Sequence, residues 1–256
     1  MLKPILICIL AGAGAGLGTG FAGMSAAAVI SPMLITFLNA DPYMAVGIAL
    51  ASDVLASVAS AITYGKNKNL DIKNGLIMML AVLCFTMVGS YIASIVPRTT
   101  MGNFSVFMTL LLGIKFIVRP VIAPKKRLAT ATAKQKAIRS VLCGAMVGLV
   151  CGFVGAGGGM MMLLVLTSVL GYELKTAVGT SVFIMSATAL TGAVSHFAIG
   201  GAPNVIMLAV CVLSTLLFAQ LAALFANKAQ PKTLNRITGA ILVILGVAIL
   251  GVNYFG

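Results

Sequence analysis

The stretch CGFVGAGGGM, residues 151–160, places Gly155, Gly157, Gly158 and Gly159 in an apolar run. Each glycine there costs a helix interior about 1 kcal/mol relative to alanine. A helix broken at such a point exposes backbone N–H groups, and a helix N-terminus carrying about half an elementary charge attracts an anion without any side chain. Gly23, Met24 and Ser25 occupy the corresponding place earlier in the chain. After each candidate break comes a polar series at helical spacing: Ser52, Asp53 and Ser57 in one case, Thr180, Ser181, Ser186 and Thr188 in the other. Hydroxyls offer an oxyanion donors without adding charge. Asp53 is the only acid well inside an apolar segment. A carboxylate there must be paired, hydrated or protonated, so Asp53 is a candidate for coupling to a proton or cation. Each feature also has a plainer reading. Small residues let membrane helices pack closely, hydroxyls bridge helices, and a nearby serine, Lys66 or Lys68 would satisfy Asp53.

The elements that must position these residues follow from composition. Of 256 residues, 61% are hydrophobic and 8% charged, against roughly 25% charged in soluble domains. About eight apolar segments recur, at 4–38, 42–64, 75–96, 101–118, 140–170, 176–199, 204–226 and 237–255. Most have about the 20 residues that carry a helix across a hydrocarbon core, and the alternation of a membrane barrel is missing. The chain is expected to be an all-α polytopic membrane protein. Its net charge of +13 comes from basic residues between apolar segments, densest in KKRLATATAKQKAIR at 125–139. That pattern marks loop 120–139 as cytoplasmic and argues against nucleic acid as the partner. Cys8, Cys84, Cys143, Cys151 and Cys211 all fall in apolar segments, without metal-ligand spacing, and read as buried packing residues.

Shifting the sequence by 132 residues aligns Gly12–Ala61 with its own second half at 13 identities in 50 positions, among them Gly20 with Gly152, Gly23 with Gly155, and Ala45-Val46-Gly47 with Ala177-Val178-Gly179. One transmembrane domain is therefore expected, with repeat 1 at 1–120, a basic linker at 121–139 and repeat 2 at 140–256. The opening MLKPILICILAGAGA has the look of a signal peptide, but its glycines belong to the repeat, so retention is expected. Segment 4–38, at about 52 Å of helix, is too long for one span and slightly short for two, and 140–170 is its counterpart. If each goes in and returns as a helical hairpin or re-entrant pair, 15 basic residues lie inside and only Lys3 and Arg98 outside; a single span each gives 12 inside and 5 outside. The hairpin count predicts inverted-topology repeats. GKNKNLDIKN, with three lysines, and its counterpart FAIGGAPNVI, with none, agree.

GLVCGFVGAGGGMMMLLVL followed by LKTAVGTSVFIMSATALTGAVSHF resembles the glycine-rich repeat of the TauE/SafE family of membrane transporters. GLGTGFAGMSAAAVISPMLITFL with YMAVGIALASDVLASV is similar to the other copy, and departs from it where the glycine run reads Gly23-Met24-Ser25-Ala26-Ala27. The resemblance implies a secondary transporter in the cytoplasmic membrane for small anions, with sulfite and organosulfonates as the usual substrates. Its partners would be that anion, a coupling proton or cation, the lipid bilayer and, as a further candidate, a second copy of the chain. No cofactor is expected. Four acids and one histidine in the whole chain argue against an enzyme, and no G-x-x-x-x-G-K-[ST] loop supports an ATP-driven pump. A passive anion channel remains the alternative.

Overall fold

In lipid a chain has to satisfy its own N–H and C=O groups, which makes apolar runs of this length helical. A computed structural model describes residues 2–94, 110–111, 114–115, 117–118, 132–154 and 158–255. Gly155, Gly157, Arg98, most of segment 101–118 and the centre of the basic loop lie outside the described residues. The described helices are α1 (Leu2–Ala22), α2 (Ala27–Leu38), α3 (Pro42–Lys66), α4 (Ile72–Ser94), α5 (Ala133–Val154), α6 (Gly158–Leu164) with a π-helical turn (Val165–Val169), α7 (Leu174–Gly200), α8 (Val205–Lys228) and α9 (Pro231–Phe255). Among the described residues, Leu2–Ala22, Met44–Lys66, Leu174–Ala198 and Val205–Lys228 are long and apolar enough to cross a membrane. Ala27–Leu38 and Ile72–Val88 are shorter apolar helices. Leu55, Ile62, Leu80, Leu213 and Leu217 stay exposed, as lipid-facing residues do. The protein is an all-α polytopic membrane protein.

Local chemistry sets the helix ends. Asp41 Oδ1 accepts from Met44 N at 3.0 Å, and Pro42 takes the first helical position of α3, where its missing N–H has no partner to lose. Asn204 Oδ1 accepts from Ile206 N and Met207 N, both at 3.1 Å, and starts α8. Adding 132 carries α1 to 134–154, α2 to 159–170, α3 to 174–198 and α4 to 204–226, each within two residues of α5, of α6 with its π-helical turn, of α7 and of α8. The helix boundaries repeat along with the identities.

The main packing pairs cross between the halves: α1 on α8, α4 on α5, and α3 on α7. A methyl at Gly16 would stand 2.5 Å from Thr215 O, and one at Gly20 2.5 Å from Ala219 O. Those contacts advance together, so α1 and α8 run parallel at backbone contact, the close approach that small residues permit. Gly144 on Met78 and Gly148 on Val82 make the same parallel seam between α5 and α4. Between α3 and α7 the order reverses, with Gly47 on Phe197, Gly192 on Leu50 and Gly179 on Tyr64. These two equivalent helices are antiparallel. Cys8, Cys143 and Cys211 are buried as expected, whereas Cys84 is exposed on the outward face of α4.

Helices α1, α3 and α8 finish together at one end of the bundle. Tyr64 Oη donates to Gly20 O at 2.8 Å, Thr63 Oγ1 to Gln220 Oε1 at 3.1 Å, and Asn69 Nδ2 to Asn227 Oδ1 at 2.7 Å. Lys175 Nζ, at the start of α7, donates to Asn227 O at 2.8 Å. Lys66, Lys68, Lys175 and Lys228 thus share one end. Because α1 and α3 end together, α2 must carry the chain back between them.

Candidate functional site

Segment 4–38 is two helices, joined where Gly23 adopts φ +59, a left-handed conformation that glycine enters without steric cost. Residues 23–25 are non-helical and buried, with Met24 fully inaccessible. Polar groups hold this turn: Gly23 N donates to Thr19 O at 2.9 Å and Met24 N to Gly18 O at 3.2 Å. Thr19 Oγ1 lies 2.8 Å from Met24 O and 3.0 Å from Ala15 O, so its one proton serves either carbonyl. Ser25 Oγ accepts from Ala27 N at 3.3 Å at the start of α2.

The first turn of α6 comes directly against this break. A methyl on Gly159 would lie 2.6 Å from Gly23 O, 2.7 Å from Ser25 N and 2.7 Å from Met185 Sδ. Ser181, fully buried on α7, donates from Oγ to Gly23 O at 3.0 Å and lies 3.8 Å from Met185 Sδ. Gly23, Met24, Ser25, Gly159 and Ser181 therefore meet in the bundle interior, and Gly158 opens α6 beside them.

Asp53 is fully buried on α3. Its Oδ1 accepts from Ser57 Oγ at 3.0 Å, while Oδ2 has no partner among the described residues. Ser25, the Ala26 backbone and Thr19 stand around the same carboxylate, so it faces the first break rather than Lys66 or Lys68, both exposed. A buried carboxylate oxygen without a partner is costly to maintain, by about 1–3 kcal/mol or more for a charged group. At the equivalent position of the second half, 53 + 132, stands Met185. The first break and the start of α6 thus have unlike neighbours, a carboxylate on one side and a thioether on the other.

The remaining hydroxyls named from sequence go elsewhere. Ser52 Oγ donates to Ile48 O at 2.8 Å, Ser186 Oγ to Phe183 O at 2.7 Å and Thr188 Oγ1 to Met185 O at 3.1 Å. Each closes onto its own helix, as such side chains often do. Thr180 Oγ1 accepts from Asp71 N at 3.2 Å and pins the α3–α4 connection. There Asp71 Oδ2 accepts from Tyr172 Oη at 2.7 Å and Asn74 Nδ2 at 2.7 Å, so a polar latch joins the halves across the end where α1, α3 and α8 finish. Burial, reinforced by the Asp71 carboxylate, pushes the Tyr172 phenol above its ordinary value and keeps it a donor. Sequence reasoning missed Thr19, Tyr64, Met185 and the latch. Thr19 alone carried a signal, as the one hydroxyl in the last turn of α1.

The family model for the sulfite exporter TauE/SafE matches residues 8–249. The chain is 26% identical over 248 residues to "Probable membrane transporter protein YunE" of Bacillus subtilis (strain 168), covering 92% of this chain and 90% of that one. It is 23% identical over 212 residues to "Probable membrane transporter protein YdhB" of the same organism, covering 83% and 86%. A "Probable membrane transporter protein" of Haemophilus influenzae (strain ATCC 51907 / DSM 11121 / KW20 / Rd) is 26% identical over 219 residues, covering 81% and 78%. A match across nearly the whole chain, on a bundle of apolar helices in which the start of α6 packs against a buried helix break, makes this protein a membrane transporter that belongs to the TauE/SafE family.

Proposed function

We propose that the protein is a secondary transporter of a small anion, sulfite, an organosulfonate or a related oxyanion or carboxylate, working by alternating access in the cytoplasmic membrane. The observation that carries this reading is the contact of α6 with the first break, with Gly159 against Gly23 O and Ser25 N, and with Asp53 Oδ2, which has no partner among the described residues, near Ser25. The N-termini of α2 and of α6, at 25–27 and 158–159, supply N–H donors, and Ser181 and Ser25 supply hydroxyls beside them. The antiparallel packing of α3 on α7 supports inverted repeats, and the shared end of the lysines supports placing that end in the cytoplasm.

Asp53 gives the coupling. An ionised carboxylate beside the breaks repels a substrate anion, by about 2 kcal/mol for charges ~8 Å apart at an effective dielectric of ~20. A proton on Asp53 removes that repulsion, so proton and anion load together. Ser57 holds Oδ1 in either state, leaving Oδ2 as the atom that gains and loses the proton. The test is proteoliposome flux with sulfite, sulfate, sulfoacetate and small carboxylates, with and without an imposed pH gradient. Uphill uptake of one anion driven by the gradient is expected. Downhill flux alone would make the protein a channel, and no flux of any anion would end the anion reading.

A further inference from the structure

A cavity of about 380 Å³ lies between the first turns of α4 and α5, away from the breaks, lined by Lys73, Asn74, Ile77, Lys136 and Ala137. Its two charges are both positive, and no carboxylate lines it. The nearest acid in sequence, Asp71, is already engaged: Oδ1 accepts from Asn74 N at 3.1 Å, and Oδ2 from Asn74 Nδ2 and Tyr172 Oη. Lys73 and Lys136 make no ion pair among the described residues, and Lys134 and Arg139 stand exposed on the same turns of α5. One or two turns further along, the same two helices expose Leu76, Leu80, Val141 and Leu142.

We infer that this cavity holds the phosphate of an anionic glycerophospholipid. Charge complementarity selects the headgroup, since two lysines with no opposing acid among the lining residues favour a phosphodiester of net negative charge over one whose headgroup also carries an ammonium. Exposed Leu76 and Leu80, which follow Lys73 along one face of α4, select the lipid over a soluble anion, because a phosphate seated between Lys73 and Lys136 places its acyl chains along them. Basic pockets between membrane helices recognise lipid headgroups on this principle. The inference rests on the membrane-embedded helices and is independent of which substrate crosses the breaks.

The test uses the full chain in detergent micelles, titrated with phosphatidylglycerol, phosphatidylcholine or inorganic phosphate, with retained lipid counted by native mass spectrometry. Wild type is expected to retain phosphatidylglycerol selectively, and the Lys73→Gln, Lys136→Gln pair to bind it roughly 30-fold more weakly, as two lysines at about 1 kcal/mol each imply. The Lys228→Gln, Lys232→Gln pair, exposed and outside the cavity's lining, controls for general charge and is expected to bind like wild type. Unchanged affinity in the first pair, an equal loss in the control pair, or equal retention of phosphatidylcholine by wild type would overturn the site. Displacement of the lipid by inorganic phosphate at comparable concentration would make it a soluble-anion site and overturn the lipid assignment.

Discussion

Replacing Gly159 with alanine adds one methyl at the point where α6 touches the first break. The new Cβ would stand 2.6 Å from Gly23 O and 2.7 Å from both Ser25 N and Met185 Sδ, against ordinary contact from 3.4 Å, a deficit of 0.8 Å at the carbonyl. Met185 can swing aside, because a thioether side chain is flexible. Gly23 O and Ser25 N are backbone, and Ser181 anchors Gly23 O by a hydrogen bond, so relief requires the breaks to separate. Overpacking of this kind costs about 1–3 kcal/mol, while alanine in place of a helical glycine returns about 1 kcal/mol, so global stability changes by about 0–2 kcal/mol. Transport suffers more. A backbone N–H donating to an anion contributes about 1.5–3 kcal/mol, so displacing one donor weakens apparent substrate affinity by about 10- to 100-fold. The assay is concentration-dependent uptake in proteoliposomes, normalised to folded protein, alongside thermal unfolding. Gly251→Ala is the control, since a methyl there meets nothing within 4 Å, and wild-type uptake is expected. A folded Gly159→Ala protein with wild-type affinity and rate would refute the idea that substrate sits where the breaks meet.

Asp53→Asn keeps a side-chain oxygen for Ser57 and removes the charge; uptake should lose its dependence on a pH gradient while anion exchange persists, and apparent affinity at alkaline pH should rise by up to about 30-fold, the equivalent of the ~2 kcal/mol repulsion. Gradient-driven accumulation that survives the change would remove Asp53 from the coupling. Ser181→Ala strands Gly23 O in the interior, and a loss of about 1–3 kcal/mol in thermal or denaturant unfolding is expected; an unchanged midpoint would show that this hydrogen bond contributes nothing. Tyr172→Phe breaks the latch to Asp71 and should destabilise the protein by about 1.5–3 kcal/mol, the range for a hydrogen bond to a charged group. Because the folded phenol is shifted upward, wild-type stability should fall as pH rises above about 10, where the unfolded phenol ionises and the folded one does not. The Phe variant should lack that component of the slope, and identical alkaline profiles would contradict the burial of Tyr172.

The sequence by itself determined the helical class, the membrane setting, the duplication and the first break. These are local properties: apolar length, glycine and proline punctuation, and a carboxylate such as Asp53 that stands out because nothing near it is charged. Helix starts are local too, because Asp41 with Pro42, and Asn204, act on amides within three residues. Only the tertiary structure decided which side chains meet. Thr180 and Ser181 are neighbours in sequence, yet a step of about 100° around α7 turns one to the Asp71 loop and the other to Gly23 O. Gly159, not distinguished from Gly158 by sequence, is the glycine pressed against Gly23 and Ser25. Asp53 took Ser57 rather than a lysine, and Tyr172 found Asp71 across 101 residues of chain. Such pairings depend on the rotation and register of helices packed through small residues. Those residues specify that two helices approach closely, but only the assembled bundle fixes which face each presents.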